Sequence, residues 1–146
     1  MSPREFDEGV VQTRLSLIRG LLDDLESVGP ITTDRLGRDR MLRHGVERVL
    51  AQVVELAVSI NGHLGATLLG RAPKDYRSSF DLAQESGAIQ PELVGRLRPS
   101  VGLRNVLTHE YVEIDLEIVA DAVLSARRDY ADYVRQMAAW IVQRSD

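Results

Sequence analysis

The strongest constraint on the fold lies in residues 46–64, where Val46, Val49, Leu50, Val53, Leu56, Ala57, Ile60 and Leu64 recur at intervals of three and four. An α-helix turns about 100° per residue, so these positions gather on one face that must be buried against other elements. The same period returns at both ends of the chain. Val11, Leu15, Ile18, Leu22 and Leu25, widened by Leu21 and Val28, predict a first helix over residues 7–27, which Gly29 and Pro30 end. Val119, Ala122, Val123, Ala126, Tyr130, Tyr133, Val134, Met137 and Ile141 predict a last helix over residues 115–143. Around the glycines of residues 62–70 no stretch alternates apolar and polar residues as a half-buried strand would. The expected fold is all-α, an antiparallel bundle of about five helices in one domain over residues 1–146.

The middle of the chain completes that count. Thr33 or Asp34 can cap the second helix, the longest of the set and the spine of the core, and Gly62, Gly65 and Gly70 loosen it after Ile60. Residues 71–75 read as a loop. A short third helix begins at Tyr76 or Arg77, carries Phe80, Leu82 and Ala83, and stops at Gly87. Pro91 suits the first turn of a fourth helix, with Leu93, Val94 and Leu97 inward. Pro99 lacks the amide that an unbroken hydrogen-bond ladder needs, which predicts a kink or a restart before Val101, Val106 and Leu107 seat the second half.

Charge and composition narrow the function. The chain has no cysteine, so disulfide and thiolate–zinc chemistry are excluded, and no grouping of His, Asp and Glu has metal-ligand spacing. The charged start is unlike a signal peptide, and the most apolar run, residues 49–60, is interrupted by Gln52 and Glu55, so the expectation is a cytoplasmic protein with no membrane span. A net charge of −4 argues against binding nucleic acid over a broad basic surface and leaves room only for a local cationic cleft. Lys74 is the only lysine; arginine, the other cation here, can hold two phosphate oxygens at once. Arg35, Arg38, Arg40, Arg43 and Arg48 form a basic stretch, read either as solvated side chains paired with Asp34, Asp39 and Glu47 or as a surface that tracks phosphates. The glycines near residue 65 lack the strand, turn and Lys-Ser or Lys-Thr order of a phosphate loop.

One stretch has the composition of a site: Arg104-Asn105-Val106-Leu107-Thr108-His109-Glu110-Tyr111. It places a permanent cation, an imidazole with a reference pKa of about 6.5 and a phenol together at a helix end. In a straight helix His109 lies about 140° around from Arg104, so the two share a cleft only if the helix ends between them, and an end at residues 107–109 is expected. His109 can act as base or acid, Arg104 can grip a phosphate, and Asn105 is suited to orienting the loop or Arg104 rather than to reacting. Glu110 could hold the His109 tautomer. A single imidazole cannot be base and acid in one step, whereas a two-fold dimer would supply two. His44 and His63 have no motif around them and are read as structural. Tyr130, Tyr133 and Trp140 fall on or beside the last apolar stripe and are read as core or dimer interface.

The spacing of Arg, four residues, His, one residue and Tyr within "VGLRNVLTHEYVEID" resembles the HepT branch of the HEPN superfamily, and "PKDYRSSFDLAQESGAIQPELVGRL" is similar to the run that precedes that motif. The resemblance covers roughly residues 46–130. It implies a homodimeric toxin of a bacterial toxin–antitoxin pair: a metal-independent endoribonuclease that needs no cofactor, with Arg104 and His109 at the scissile phosphate. RNA, tRNA included, is the implied substrate class. The implied partner is a minimal nucleotidyltransferase antitoxin that transfers AMP groups from ATP onto Tyr111. A second reading is a non-catalytic HEPN module that binds a nucleotide or only the partner, and the overall acidity and Pro99 keep it open.

Overall fold

The structure, a computed structural model, describes residues 5–109 and 114–145, without the side chain of His109. Among the described residues six α-helices follow in order: α1 (Glu8–Ser27), α2 (Thr33–Arg38), α3 (Arg40–Leu64), α4 (Tyr76–Glu85), α5 (Pro91–His109) and α6 (Leu116–Ser145). Among the described residues there is no strand. α3 packs against each of the other five and is the spine that its apolar stripe predicts. Val46, Leu50, Val53, Val54, Ala57, Ile60 and Leu64 are all buried. The segment Arg40–Leu69 is long and apolar enough to cross a membrane by length and composition, but here its apolar face is the one the bundle covers.

Local chemistry sets most helix ends. The Asp7 carboxylate accepts from the Val10 amide at 3.2 Å and starts α1, and Gly29 turns the chain out after it with φ of 79°. The second predicted helix proves to be two. Thr32, rather than Thr33 or Asp34, caps α2, and Asp39 adopts an extended φ of −119° and accepts from the Leu42 amide at 3.0 Å to start α3. An aspartate that satisfies the free amides of a new first turn outweighs helix continuation at that point. In the basic stretch, Arg38 pairs with Asp34 at 2.6 Å and Arg43 with Glu47 at 3.6 Å, while Arg35 donates to the Pro30 carbonyl at 2.9 Å and ties α2 to the end of α1.

The expected loosening after Ile60 occurs at Gly65 and Gly70 but not at Gly62. α3 holds to Leu64 and widens into a π-turn, Gly65–Leu69, closed by Gly70 at φ of 66°. Gly65 is required by close approach: a Cβ there would lie 2.6 Å from Leu82 Cδ1 and 2.8 Å from the Arg71 carbonyl oxygen. α4 begins with a reciprocal capping box between Asp75 and Ser78. α5 then runs through Pro99 without a restart. Pro99 is exposed, Leu97 and Val101 beside it are buried, and the Ser100 hydroxyl donates to the Leu97 carbonyl at 2.6 Å, so packing carries the helix across the missing amide. Leu107 packs on the core as expected, whereas Val106 is half-buried and outside it.

α6 closes the bundle. Tyr130 and Tyr133 are buried in the core, and Trp140 is half-buried with its ring edge-on to Phe6 at 5.6 Å. α5 is fastened to α6 by Arg96, which reaches Asp129 at 2.7 Å and Asp132 at 2.5 Å as well as Glu92 on its own helix. Burial pushes the Asp129 carboxyl up, but hydrogen bonds from Arg128 and Arg96 outweigh it and hold the group below its ordinary range.

Candidate functional site

Arg104 lies on the face of α5 that carries Leu97 and Val101, so its stem starts in the bundle and its head must find polar partners. Its side chain is only 14% exposed. Nη2 donates to Glu55 Oε1 of α3 at 3.1 Å, Nη1 donates to Asn105 Oδ1 at 3.2 Å, and the guanidinium lies 4.5 Å from the centre of the Tyr76 ring at the start of α4. Three helices therefore hold one cation: a carboxylate on one side, an aromatic face beneath it and an amide beside it. The Thr108 hydroxyl donates to the Arg104 carbonyl at 2.9 Å one turn later and stiffens the last turn of α5.

The helix ends at His109, the far limit of the end expected at residues 107–109, and so not between Arg104 and His109. It persists to His109, its last residue, so the two backbone positions are about 140° apart around the axis. Asn105 offers the connection that a helix break was expected to give. It sits about 100° from Arg104 and only about 40° from His109, and by accepting from Nη1 it draws the guanidinium toward the His109 side of the helix. Glu110 and Tyr111 fall outside the described residues, as does the His109 side chain.

Glu55 and Tyr76 were not singled out by the sequence. Glu55 was visible only as a charge interrupting an apolar stripe, and Tyr76 only as a helix start within the stretch upstream of the motif. The other histidines are engaged elsewhere. His63 Nε2 accepts from the Asp7 amide at 2.9 Å and its ring lies 5.7 Å from Phe6, which makes it a latch for the start of α1. Its neighbour Asn61 is buried between Ser79 and Tyr133. His44 is exposed and lines a surface hollow with Arg48, Leu107 and Thr108, beside the end of α5. Among the described residues no group of three or more His, Asp or Glu side chains comes together as a metal site needs.

Comparison with known proteins places the chain in a family. The family described as HepT-like ribonuclease matches residues 18–137. The chain belongs to the HepT-like ribonuclease family. A tRNA nuclease HepT of Aphanizomenon flos-aquae is 35% identical over 91% of this chain and 90% of its own length. An mRNA nuclease HepT of Shewanella oneidensis is 29% identical over 66% of this chain and 73% of its own length. Among solved structures, a tri-AMPylated HEPN toxin of Shewanella oneidensis in complex with an MNT antitoxin superposes with a TM-score of 0.81 at 23% identity, covering 91% of this chain and 99% of that one. The HepT-like fold is thus shared along nearly the whole chain, and α5 brings Arg104, Asn105 and His109 to one end of it.

Proposed function

We propose that this chain is the toxin of a toxin–antitoxin pair, acting in the cytoplasm as a homodimeric, metal-independent endoribonuclease built from one HEPN-like domain. The observation that carries the reading is the held Arg104: a cation clamped by Glu55, Asn105 and Tyr76 on the helix that ends in His109, in a family whose relatives include a tRNA nuclease and an mRNA nuclease. A base removes the ribose 2′-OH proton as that oxygen attacks the adjacent phosphorus. The 2′-O–P bond forms, the bond to the 5′-oxygen breaks, and an acid protonates the leaving oxygen. His109 supplies one of these proton transfers, and His109 of a second copy supplies the other. Arg104 holds the non-bridging oxygens as negative charge grows on them, and Asn105 aims it.

Tyr111 is the control point. Its hydroxyl attacks the α-phosphorus of ATP on the partner nucleotidyltransferase, loses its proton and displaces pyrophosphate. The resulting phosphodiester puts negative charge and bulk next to Arg104, where an RNA phosphate would bind, and blocks the site. The ion pair of Arg104 with Glu55 and the net charge of −4 favour one other reading, a partner-binding module without catalysis.

The test is RNA cleavage by purified wild type and His109→Ala, with circular dichroism and sedimentation as controls. The expected result is cleavage by wild type and none by a variant that keeps its helicity and dimer. Full cleavage by His109→Ala removes the catalytic assignment, and an inactive wild type leaves the binding module. Incubation with the partner and ATP should add mass at Tyr111; labelling that persists in Tyr111→Phe rejects that residue.

A further inference from the structure

The first turn of α4 presents a second cation next in sequence to the ring that supports Arg104. Arg77 is exposed, and among the described residues no carboxylate lies within ion-pair distance of it. Its guanidinium lies against Gly102 of α5: a Cβ built on that glycine would be 3.4 Å from Arg77 Nη2. Gly102, Asn105 and His109 lie within about 60° of one another around α5, since three residues stop about 60° short of a full turn and seven about 20° short of two, and the span from Gly102 to His109 is roughly 10 Å along the axis. Arg77 also directly follows Tyr76, whose ring carries the Arg104 guanidinium.

The helix end disfavours a cation there, although the Asp75 carboxylate two residues back attracts it. The second position of a helix sits in the positive field of the helix N-terminus, where a carboxylate is favoured and an arginine is not. The nearby Asp75 carboxylate is occupied by the capping box, accepting from the Ser78 amide at 2.7 Å, and that hydrogen bond together with the Ser78 hydroxyl, with smaller contributions from the charges of Arg77 and Lys74, keeps its pKa below the ordinary range. The cation makes no close ion pair among the described residues and is set over a residue without a side chain, on the flank of α5 that leads to His109. We propose that Arg77 is a substrate-positioning residue that binds an RNA phosphate next to the scissile one, so that the strand runs along the Gly102–Asn105–His109 side of α5. The arginine fork can take two non-bridging oxygens, and Gly102 leaves the backbone of the strand room to approach.

This inference rests on the reading that RNA occupies the Arg104 site, and the experiment separates the two. With a tRNA transcript as probe, Kd is measured by fluorescence anisotropy in the His109→Ala background, with and without Arg77→Gln, and kcat and KM are measured in the otherwise wild-type protein. Arg77→Gln should weaken binding about tenfold, raise KM by a similar factor and change kcat little, and Arg77→Lys should recover much of the loss. The slope of log Kd against log salt should flatten by about 0.7, the amount one phosphate contact contributes on a single strand. Cleavage by wild type together with an unchanged Kd and salt slope in Arg77→Gln overturns the proposal, as does a loss confined to kcat or to binding of the nucleotidyltransferase. A wild type that cleaves nothing while Arg77→Gln still weakens binding removes the catalytic reading and leaves this one standing.

Discussion

Replacing Tyr133 by phenylalanine should unsettle the core in a way whose size can be worked out from the structure. The Tyr133 hydroxyl donates to Asn61 Oδ1 at 2.7 Å, with the Ala57 carbonyl as a weaker second acceptor at 3.3 Å. Asn61 in turn donates from Nδ2 to Ser79 Oγ at 3.3 Å, and the Ser79 hydroxyl donates to the Tyr76 carbonyl at 2.7 Å. A buried polar chain therefore links α6, α3 and α4 and ends on the residue whose ring supports Arg104. Burial raises the Tyr133 pKa well above its ordinary value, so the phenol is a constant donor. Tyr133→Phe keeps the ring contacts with Phe80 and Tyr130 and removes only the hydroxyl. That leaves Asn61 Oδ1 as a buried acceptor without its donor, a loss of about 1–3 kcal/mol. For a chain of this size, about 2 kcal/mol corresponds to a fall in Tm of roughly 8 °C. Thermal unfolding followed by far-UV circular dichroism reads the shift. Adding Asn61→Leu removes the stranded acceptor as well, so the double variant should be more stable than the two single losses summed. A Tm for Tyr133→Phe within about 1 °C of wild type would refute the claim that this network is closed and buried as described.

Gly65→Ala drives a methyl into Leu82 and the Arg71 carbonyl, and overpacking of that kind should cost about 1–3 kcal/mol, read as a lower midpoint in chemical denaturation; an unchanged midpoint contradicts the close approach. Stability should fall in acid in a manner tied to Asp129 and Glu92. Both carboxyls are held below their ordinary values of 3.8 and 4.5, Asp129 by Arg128 and Arg96 against its burial, and Glu92 chiefly by its hydrogen bond with Arg96. A depressed folded pKa means that the stabilisation is complete above the unfolded value, near pH 4, and is lost as pH falls through the folded one. Asp129→Asn should therefore melt lower than wild type at pH 7 and show a shallower loss below about pH 4, and an identical acid limb would detach Asp129 from it.

What could be read from the chain without coordinates was what depends on residues within a few positions of one another. The apolar stripes located α1, α3 and α6, and Gly29, Gly87 and Pro91 marked ends that the structure keeps. The motif marked the end of α5, and the family it resembles is the one the chain belongs to. Asp39 escaped notice because the helical period continues on both sides of it, so only the backbone reveals that its carboxylate caps a new helix. Pro99 was read by its missing amide, while burial of Leu97 and Val101 around it decided the outcome. Contacts between distant segments were beyond that reach. Glu55 and Arg104 are 49 positions apart, and Arg96 meets Asp129 across 33, because the angle at which helices cross decides which side chains face each other. A sequence carries the period of each helix and the chemistry of its ends; only packing selects the carboxylate and the ring that hold Arg104, and sets Arg77 over Gly102.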